Sequence, residues 1–305
     1  MRQLYRKNVS DQSLTFYLPS GSFGGFMLAY EGTNGAGNTA NRDDMGQVLF
    51  NHNGSPVIDC DAEFLSFLND LKGGFSTFAS AIGGAFECFI YLPCGDFKDK
   101  NNCYTIDQKD SIYFKLDFSA LSALLASGTV TIYGIPKEGI QNYVYCIAQR
   151  NVVAQGAGRV SDVHRLDNVF SMYVKDYSAV NRIMITRDGQ NLFDVETNTA
   201  QALSDFFNQV EATVSIIELD LNLSKDVKEM LSREILFDYN FTGASTLSQY
   251  FAYKSFTPNK ATQSRVISQQ KLQAKVSQGI VKQVPVLVPI EPAMLGRATA
   301  IDQKN

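Results

Sequence analysis

Short runs of Val, Ile, Phe and Tyr recur along the chain at 26–30, 47–50, 86–91, 111–118 and 129–133, separated by clusters of Gly, Asn and Asp. Runs of this length and composition, bounded by turn formers, predict β-strands. In the best of them Ile112, Phe114, Leu116 and Phe118 alternate with Tyr113, Lys115 and Asp117. That period of two is expected where one face of a sheet is buried and the other is wet. From Asp61 the period changes: Phe64, Leu65, Leu68 and Leu71 share one helical face, and Asp61 and Glu63 stand where the first turn begins. Acidic groups there meet the positive end of the helix dipole, so a short helix is predicted to interrupt the strands.

The pattern then repeats. Residues 50–59 align with 185–194 at a constant offset of 135, which superposes two turn dipeptides, Asn53-Gly54 and Asp188-Gly189. Both dipeptides tolerate positive φ, and both predict a hairpin. A short acidic helix follows each hairpin, with Leu65–Asn69 matched to Leu203–Asn208 at a displacement of three or four further residues. Further on, 112–118 aligns with 235–241 at offset 123, and each copy closes on an aromatic strand, 129–133 or 250–253. Three matches in the same order identify a duplicated module.

Each module has about 110–120 residues, seven or eight short strands and helices only in the connections, which is the profile of a β-sandwich. Immunoglobulin-like domains and jelly rolls both fit that profile. The chain has no Trp, so the Cys, Trp and Cys hallmark of the former is missing. The inserted helix favours the jelly roll, which accepts long connections at its ends. The expected fold is all-β: two tandem eight-stranded jelly-roll sandwiches with short inserted helices and an extended C-terminal arm. The expected boundaries are an N-terminal arm at 1–14, a first sandwich at 15–140, a second at 141–256 and the arm at 257–305, with 134–139 as the junction.

The last segment has no aromatic residue and holds four of the eight prolines. Leu272, Val276 and Ile280 keep a helical spacing, whereas Pro285, Pro289 and Pro292 force an extended course. Its basic residues are Lys260, Arg265, Lys271, Lys275, Lys282, Arg297 and Lys304, against Glu291 and Asp302. The net charge of −4 is therefore a +5 segment joined to a −9 body. Seven cations spread among apolar residues, with no stacking aromatics, fit an anionic membrane surface or a neighbouring subunit better than single-stranded nucleic acid. Arg2, Arg6 and Lys7 add a second basic patch at the other terminus.

Candidate chemistry is sparse. Asp59, Asp61 and Glu63 place three carboxylates at alternate positions and could supply oxygen ligands to Ca²⁺. The same acids at a strand-to-helix junction also read as helix caps, the favoured reading, and Asp194 and Glu196 echo them in the repeat. Gly32, Gly35 and Gly37 superficially resemble a phosphate-binding loop, but no Lys-Ser/Thr pair follows, and a surface loop is expected. Only two histidines exist, His52 and His164, which excludes a multi-histidine metal site; neither lies in a nucleophile motif, and both read as surface or interface residues. The odd set of Cys60, Cys88, Cys94, Cys103 and Cys146 has no C-x-x-C pair and reads as buried free thiols. No catalytic residue and no cofactor are expected. The opening residues lack the apolar stretch of a signal peptide, and no run approaches the roughly 18 apolar residues of a spanning helix.

Tandem jelly-roll modules in a chain of this length, free of catalytic motifs and ended by basic segments, resemble the double jelly-roll major capsid proteins of tailless icosahedral viruses with an internal membrane. The likeness spans about residues 15–256 and is closest to the small capsid proteins of corticovirus-type phages and of lipid-containing phages of Flavobacterium. It implies a homotrimer whose six sandwiches make a pseudo-hexagonal tile of a capsid lattice, with penton or minor capsid proteins as further partners. It also implies a virion protein, made in the host cytoplasm, whose basic termini (Arg2, Arg6, Lys7, Lys260, Arg265, Lys271, Lys275 and Lys282) face internal-membrane lipid or assembly partners. Sequence-specific nucleic-acid binding is not implied. Two rival classes were weighed: a carbohydrate-binding or adhesion protein of paired jelly rolls, which would expect exposed aromatic platforms and perhaps Ca²⁺ at Asp59 and Asp61, and a bicupin enzyme, for which two histidines are too few.

Overall fold

The computed structural model describes residues 1–73, 77–94, 102–139, 141, 143–164, 169–187, 189–209, 215–220 and 235–255. The expected arm at 257–305, with its helix, its prolines and all its basic residues, lies outside them.

The first half contains strands β1 (Arg2–Asn8), β2 (Ser13–Tyr17), β3 (Gly21–Asn34), β4 (Gln47–His52) and β5 (Ser55–Asp61), then helix α1 (Ala62–Leu71). It continues with β6 (Thr77–Ser80), β7 (Ala85–Pro93), β8 (Tyr104–Ile106), β9 (Ile112–Asp117), helix α2 (Ser119–Leu124) and β10 (Leu125–Pro136). The second half runs through β11 (Val144–Ala154), β12 (Gly158–His164), β13 (Val169–Lys175), β14 (Val180–Arg187) and β15 (Gln190–Glu196). Helix α3 (Thr197–Asn208), β16 (Ile216–Asp220), β17 (Ile235–Phe241) and β18 (Ser245–Ser255) complete it.

These strands build three sheets. One has the order β1-β10-β3-β7-β6, with β8 also on β3; one is β12-β17-β14-β15; the third is an eight-stranded sheet, β16-β13-β18-β11-β5-β4-β9-β2. In the second half, the first, eighth, third and sixth strands form one layer and the second, seventh, fourth and fifth form the other. That is the jelly-roll order. With β6 and β8 set aside as additions, the first half has the same order: β1, β10, β3, β7 against β2, β9, β4, β5. The duplication read from the sequence is thus a duplication of topology, strand for strand.

Three expectations need correction. Residues 1–14 are not an arm: β1 is the first strand of the first jelly roll, paired antiparallel with β10 from Arg2↔Gly134 to Asn8↔Thr129, and Val9 and Leu14 are buried. Arg2, Arg6 and Lys7 hid the strand because basic side chains on a sheet edge look like a solvated tail, and a register shift between Gln3 and Tyr5 breaks the alternation. The helices, moreover, are not displaced by three or four residues. Asp61 and Glu196 occupy the same cap position, so α1 and α3 start in register at the offset of 135, and Leu68 matches Leu203. The Gly32 to Gly37 stretch is also more ordered than a simple surface loop. It begins as the end of β3, and the buried Asn34 side chain ties the turn by donating to Ala81 O at 2.8 Å and accepting from Ala40 N at 3.0 Å.

Each sandwich closes on its own apolar layer. Ile112, Phe114 and Leu116 of β9 are buried with Phe50, Phe26 and Tyr30, while Ile183, Phe237, Tyr239 and Phe251 form the centre of the second. Phe50 stacks on Phe114 with ring centroids 4.6 Å apart, and Phe26 meets Phe114 edge-on at 5.3 Å. Gly46 turns the chain into β4 at φ +77°, where a Cβ would sit 1.8 Å from the carbonyl oxygen of Asp117. Gly46→Ala should therefore lower the unfolding free energy by about 2 kcal/mol or more, seen as a lower denaturant midpoint at unchanged slope.

Candidate functional site

The place where the two sandwiches meet is built from residues that are far apart in sequence. β5 lies parallel to β11, with Ile58 opposite Ile147 and Asp59 opposite Ala148, and this pairing fuses two four-stranded layers into the eight-stranded sheet. Helix α1 covers the seam. Alternation on the second half of that sheet sends Met172, Val174, Leu219 and Phe251 into the second core, and Tyr145, Ile147, Tyr173 and Tyr250 into the cluster that holds Phe64, Leu65 and Leu68 of α1. Phe64 stacks flat on Tyr250, with centroids 3.6 Å apart and planes within 2°, and meets Tyr173 at 5.5 Å.

The acidic trio sits here. Asp61 caps α1, accepting from Phe64 N at 2.6 Å, and its other carboxylate oxygen accepts from Tyr250 Oη at 2.5 Å. Its own amide donates to Gln149 Oε1 at 3.1 Å. Glu63 pairs with Lys175, whose ammonium also lies 4.0 Å from Asp61. Asp59 is exposed on β5 and does not converge with the other two. Among the described residues no group of three or more His, Cys, Asp or Glu could hold a metal ion. Asp61 and Glu63 instead join the halves, since Tyr250, Gln149 and Lys175 all belong to the second sandwich. Burial, and secondarily the Asp61 carboxylate, pushes the Tyr250 hydroxyl far above its ordinary value, so it remains a donor.

A second polar cluster closes the other end of α1. Lys72 Nζ is 2.5 Å from both carboxylate oxygens of Glu218 and 3.1 Å from Asn208 Oδ1. Ser171 Oγ, Tyr173 Oη and Asn208 Nδ2 also donate to that carboxylate, at 2.7, 3.1 and 2.8 Å. Burial alone would raise the Glu218 carboxyl, but the Lys72 charge and these hydrogen bonds outweigh it and hold the group below its usual value. Neither Lys72 nor Glu218 stood out in the sequence. The partners are separated by 146 positions, and no local pattern marks either one.

The two histidines divide. His52 Nδ1 hydrogen-bonds the Tyr104 hydroxyl at 2.6 Å, and its Nε2 is 3.8 Å from Asp110. It lines an open groove with Pro56, Val57, Val144, Cys146 and Tyr253. The one thiol there, Cys146, is pushed up to about 12 by burial, with hydrogen bonds acting the other way, and a thiol so hard to ionise is a poor nucleophile. The backbone of His164 ends β12 opposite Ile235; its side chain lies outside the described residues. All five cysteines are buried and free, as the odd count led us to expect. Of the basic termini, Arg2, Arg6 and Lys7 stand on the edge strand β1, and Arg6 reaches back to Thr129 Oγ1 on the paired strand β10 at 3.4 Å. Lys260, Arg265, Lys271, Lys275 and Lys282 fall outside the described residues.

No family model matches the sequence, and no curated protein matches it. Solved structures do match. The STIV MCP superposes with a TM-score of 0.59 at 8% identity, over 83% of this chain and 96% of its own. The major capsid protein P2 from bacteriophage PM2 does so with a TM-score of 0.59 at 11% identity, over 83% and 98%. A PBCV-1 virus capsid structure gives 0.53 at 7% identity, over 83% and 94%. The fold is a double jelly roll. At such low identity the likeness lies in architecture, and it extends over almost the whole length of these three chains.

Removing the cation from a buried pair leaves an uncompensated charge. Lys72→Met in the double jelly roll should cost about 3 kcal/mol, whereas Lys72→Met combined with Glu218→Leu should recover much of that loss. Glu218 has a folded-state value below its unfolded one, so its contribution is complete above about pH 5 and disappears as pH falls through the folded value. Denaturation of the wild type at stepped pH should show that loss only on acidification, and Lys72→Met should shrink or reverse it, because burial then raises the Glu218 carboxyl.

Proposed function

We propose that this chain is the major capsid protein of an icosahedral virion, a structural subunit and not an enzyme. The observation that carries the proposal is the edge-to-edge fusion of two jelly rolls of identical strand order, an architecture held in common with three viral capsid structures over 83% of the chain. A shell subunit needs shape and contact area in place of tuned acid–base groups. The described residues fit that need: Asp61 and Glu63 hold the sandwiches together, and the histidine-lined groove contains a thiol held far from ionisation.

Three such chains would bring six similar sandwiches together, and a closed ring of three is the proposed tile of the lattice. Self-association is the primary partnership, with penton or minor capsid proteins completing the vertices. For the C-terminal segment, the proposal is contact with lipid phosphates of an internal membrane through Lys260, Arg265, Lys271, Lys275 and Lys282, supported by the segregation of +5 onto a segment that also carries Val, Leu and Ile. The carbohydrate-binding alternative is not favoured, because Asp61 is engaged as a helix cap and Glu63 in an ion pair, which leaves Asp59 alone and exposed on β5 as a carboxylate free for Ca²⁺.

The test is the mass and shape of the purified chain, by size-exclusion with light scattering and by negative-stain imaging. Trimers and shells are expected; a persistent monomer would overturn the reading. Residues Met1–Thr257 form one compact unit, so deleting 258–305 should leave melting unchanged while impairing shell formation and reducing sedimentation with anionic vesicles. Unfolding of the truncated chain would show instead that the segment belongs to a core.

A further inference from the structure

Helix α3 carries an apolar face that the other described residues leave uncovered. Ala200 and Ser204 are buried inward, but Leu203 is 38% exposed, Phe206 75% and Phe207 68%, and the two phenyl rings lie together at 5.6 Å. The matching positions on α1 behave differently. Leu68 and Leu71 are 1% and 0% exposed, and Lys72, the counterpart of Phe207, reaches Glu218 in the second sandwich. The duplicated helix thus has a covered copy and an uncovered one.

We propose that α3 docks on the first sandwich of a second copy of this chain, repeating between subunits the contact that α1 makes within one. The contact inside the chain is directional. The fifth strand of one sandwich, β5, lies beside the first strand of the next, β11, and the helix after the fifth strand covers the outer face of the neighbouring layer. A contact of this kind uses different surfaces on its two sides and is free to repeat. The fifth strand of the second sandwich is β15 and the first strand of the first is β1, and each is an edge of its sheet with no strand beyond it among the described residues. Their charges are complementary. Glu196 stands on β15, where Asp194 is already paired with Arg182 at 2.7 Å, and Arg2, Arg6 and Lys7 stand on β1.

The receiving face is also apolar. Ile132, Leu28 and Cys88 point into the first core, so Tyr133, Met27 and Phe89 lie on the opposite side of that layer, where all three are half-buried. Tyr133 is directly opposite Met27 across β10 and β3, so two of the three side chains are cross-strand neighbours. They correspond in layer and direction to the face with Tyr145, Ile147, Tyr173 and Tyr250 that receives α1. An aromatic pair of this exposure is what a hot spot in such an interface requires. The inference rests on the capsid reading and names the surfaces that close its ring. It also gives the β1 cations carboxylate partners on a neighbouring chain in place of lipid.

The test uses the full-length chain. Phe206→Glu combined with Phe207→Glu should keep the wild-type circular dichroism and melting, because both rings are exposed, yet abolish the trimer and lower the solution mass about threefold. Ile82→Glu, in the turn after β6 and also exposed, should leave the trimer intact. Two variants with one added cysteine each, Phe207→Cys and Tyr133→Cys, should cross-link between chains with a short bismaleimide only when mixed, since the five native thiols are buried. A wild type that forms trimers, a double variant that still forms them and no inter-chain cross-link would sink this proposal alone. So would a cross-link confined to one chain when Phe207→Cys and Tyr133→Cys are combined in the same chain, which would name a different occupant. A wild-type chain that stays monomeric would remove the capsid reading together with it.

Discussion

The parallel pairing of β5 with β11 is the contact on which the rest of the molecule depends. An isolated jelly roll exposes the hydrogen-bonding edges of its layers, and edges left open are sites of uncontrolled association. Here one such edge is closed by the first strand of the second copy, at Ile58↔Ile147 and Asp59↔Ala148, and the result is a single eight-stranded sheet. The pairing is short, so backbone hydrogen bonds alone would make a weak hinge. Helix α1 strengthens it by laying Phe64, Leu65 and Leu68 over the aromatic outer face of the neighbouring layer, which leaves that layer buried on both sides.

Polar groups then fix the geometry that apolar packing leaves free. Stacking of Phe64 on Tyr250 tolerates sliding, but the Asp61 carboxylate that caps α1 and also accepts from Tyr250 does not. At the other end of the helix, the Lys72 and Glu218 pair is hydrogen-bonded by Ser171, Tyr173 and Asn208. A buried ion pair contributes little net stability over an apolar substitute, yet breaking one half of it is costly. Its effect is to make any other angle between the sandwiches expensive. For a subunit that must tile a surface, a fixed angle matters more than an additional kilocalorie of stability.

Much of this was legible from the sequence, and the parts that were not share a cause. The hairpin pairs β4–β5 and β14–β15, the strands β9 and β17, and both long helices follow from local alternation, turn dipeptides and caps, all contained within a dozen residues. β1 was missed because its charges sit on an edge, where solvent tolerates them and the apolar period is weak. The acidic trio was found, and its role as a cap was anticipated. Its bonds to Tyr250, Gln149 and Lys175 were not, because those partners lie 88 to 189 positions away. The seam cluster of Lys72 and Glu218 left no local trace at all.

By itself, then, the sequence determined the duplicated module and its all-β character, because period and turn chemistry act between near neighbours. It also determined the absence of a multi-histidine centre, which is a matter of counting. It took the folded chain to show which edge of one copy meets which edge of the other, that α1 is covered where α3 is bare among the described residues, and that the carboxylates of Asp61 and Glu63 serve a joint. Those outcomes depend on which surfaces come together across more than a hundred residues, and in this chain no local pattern marks that choice.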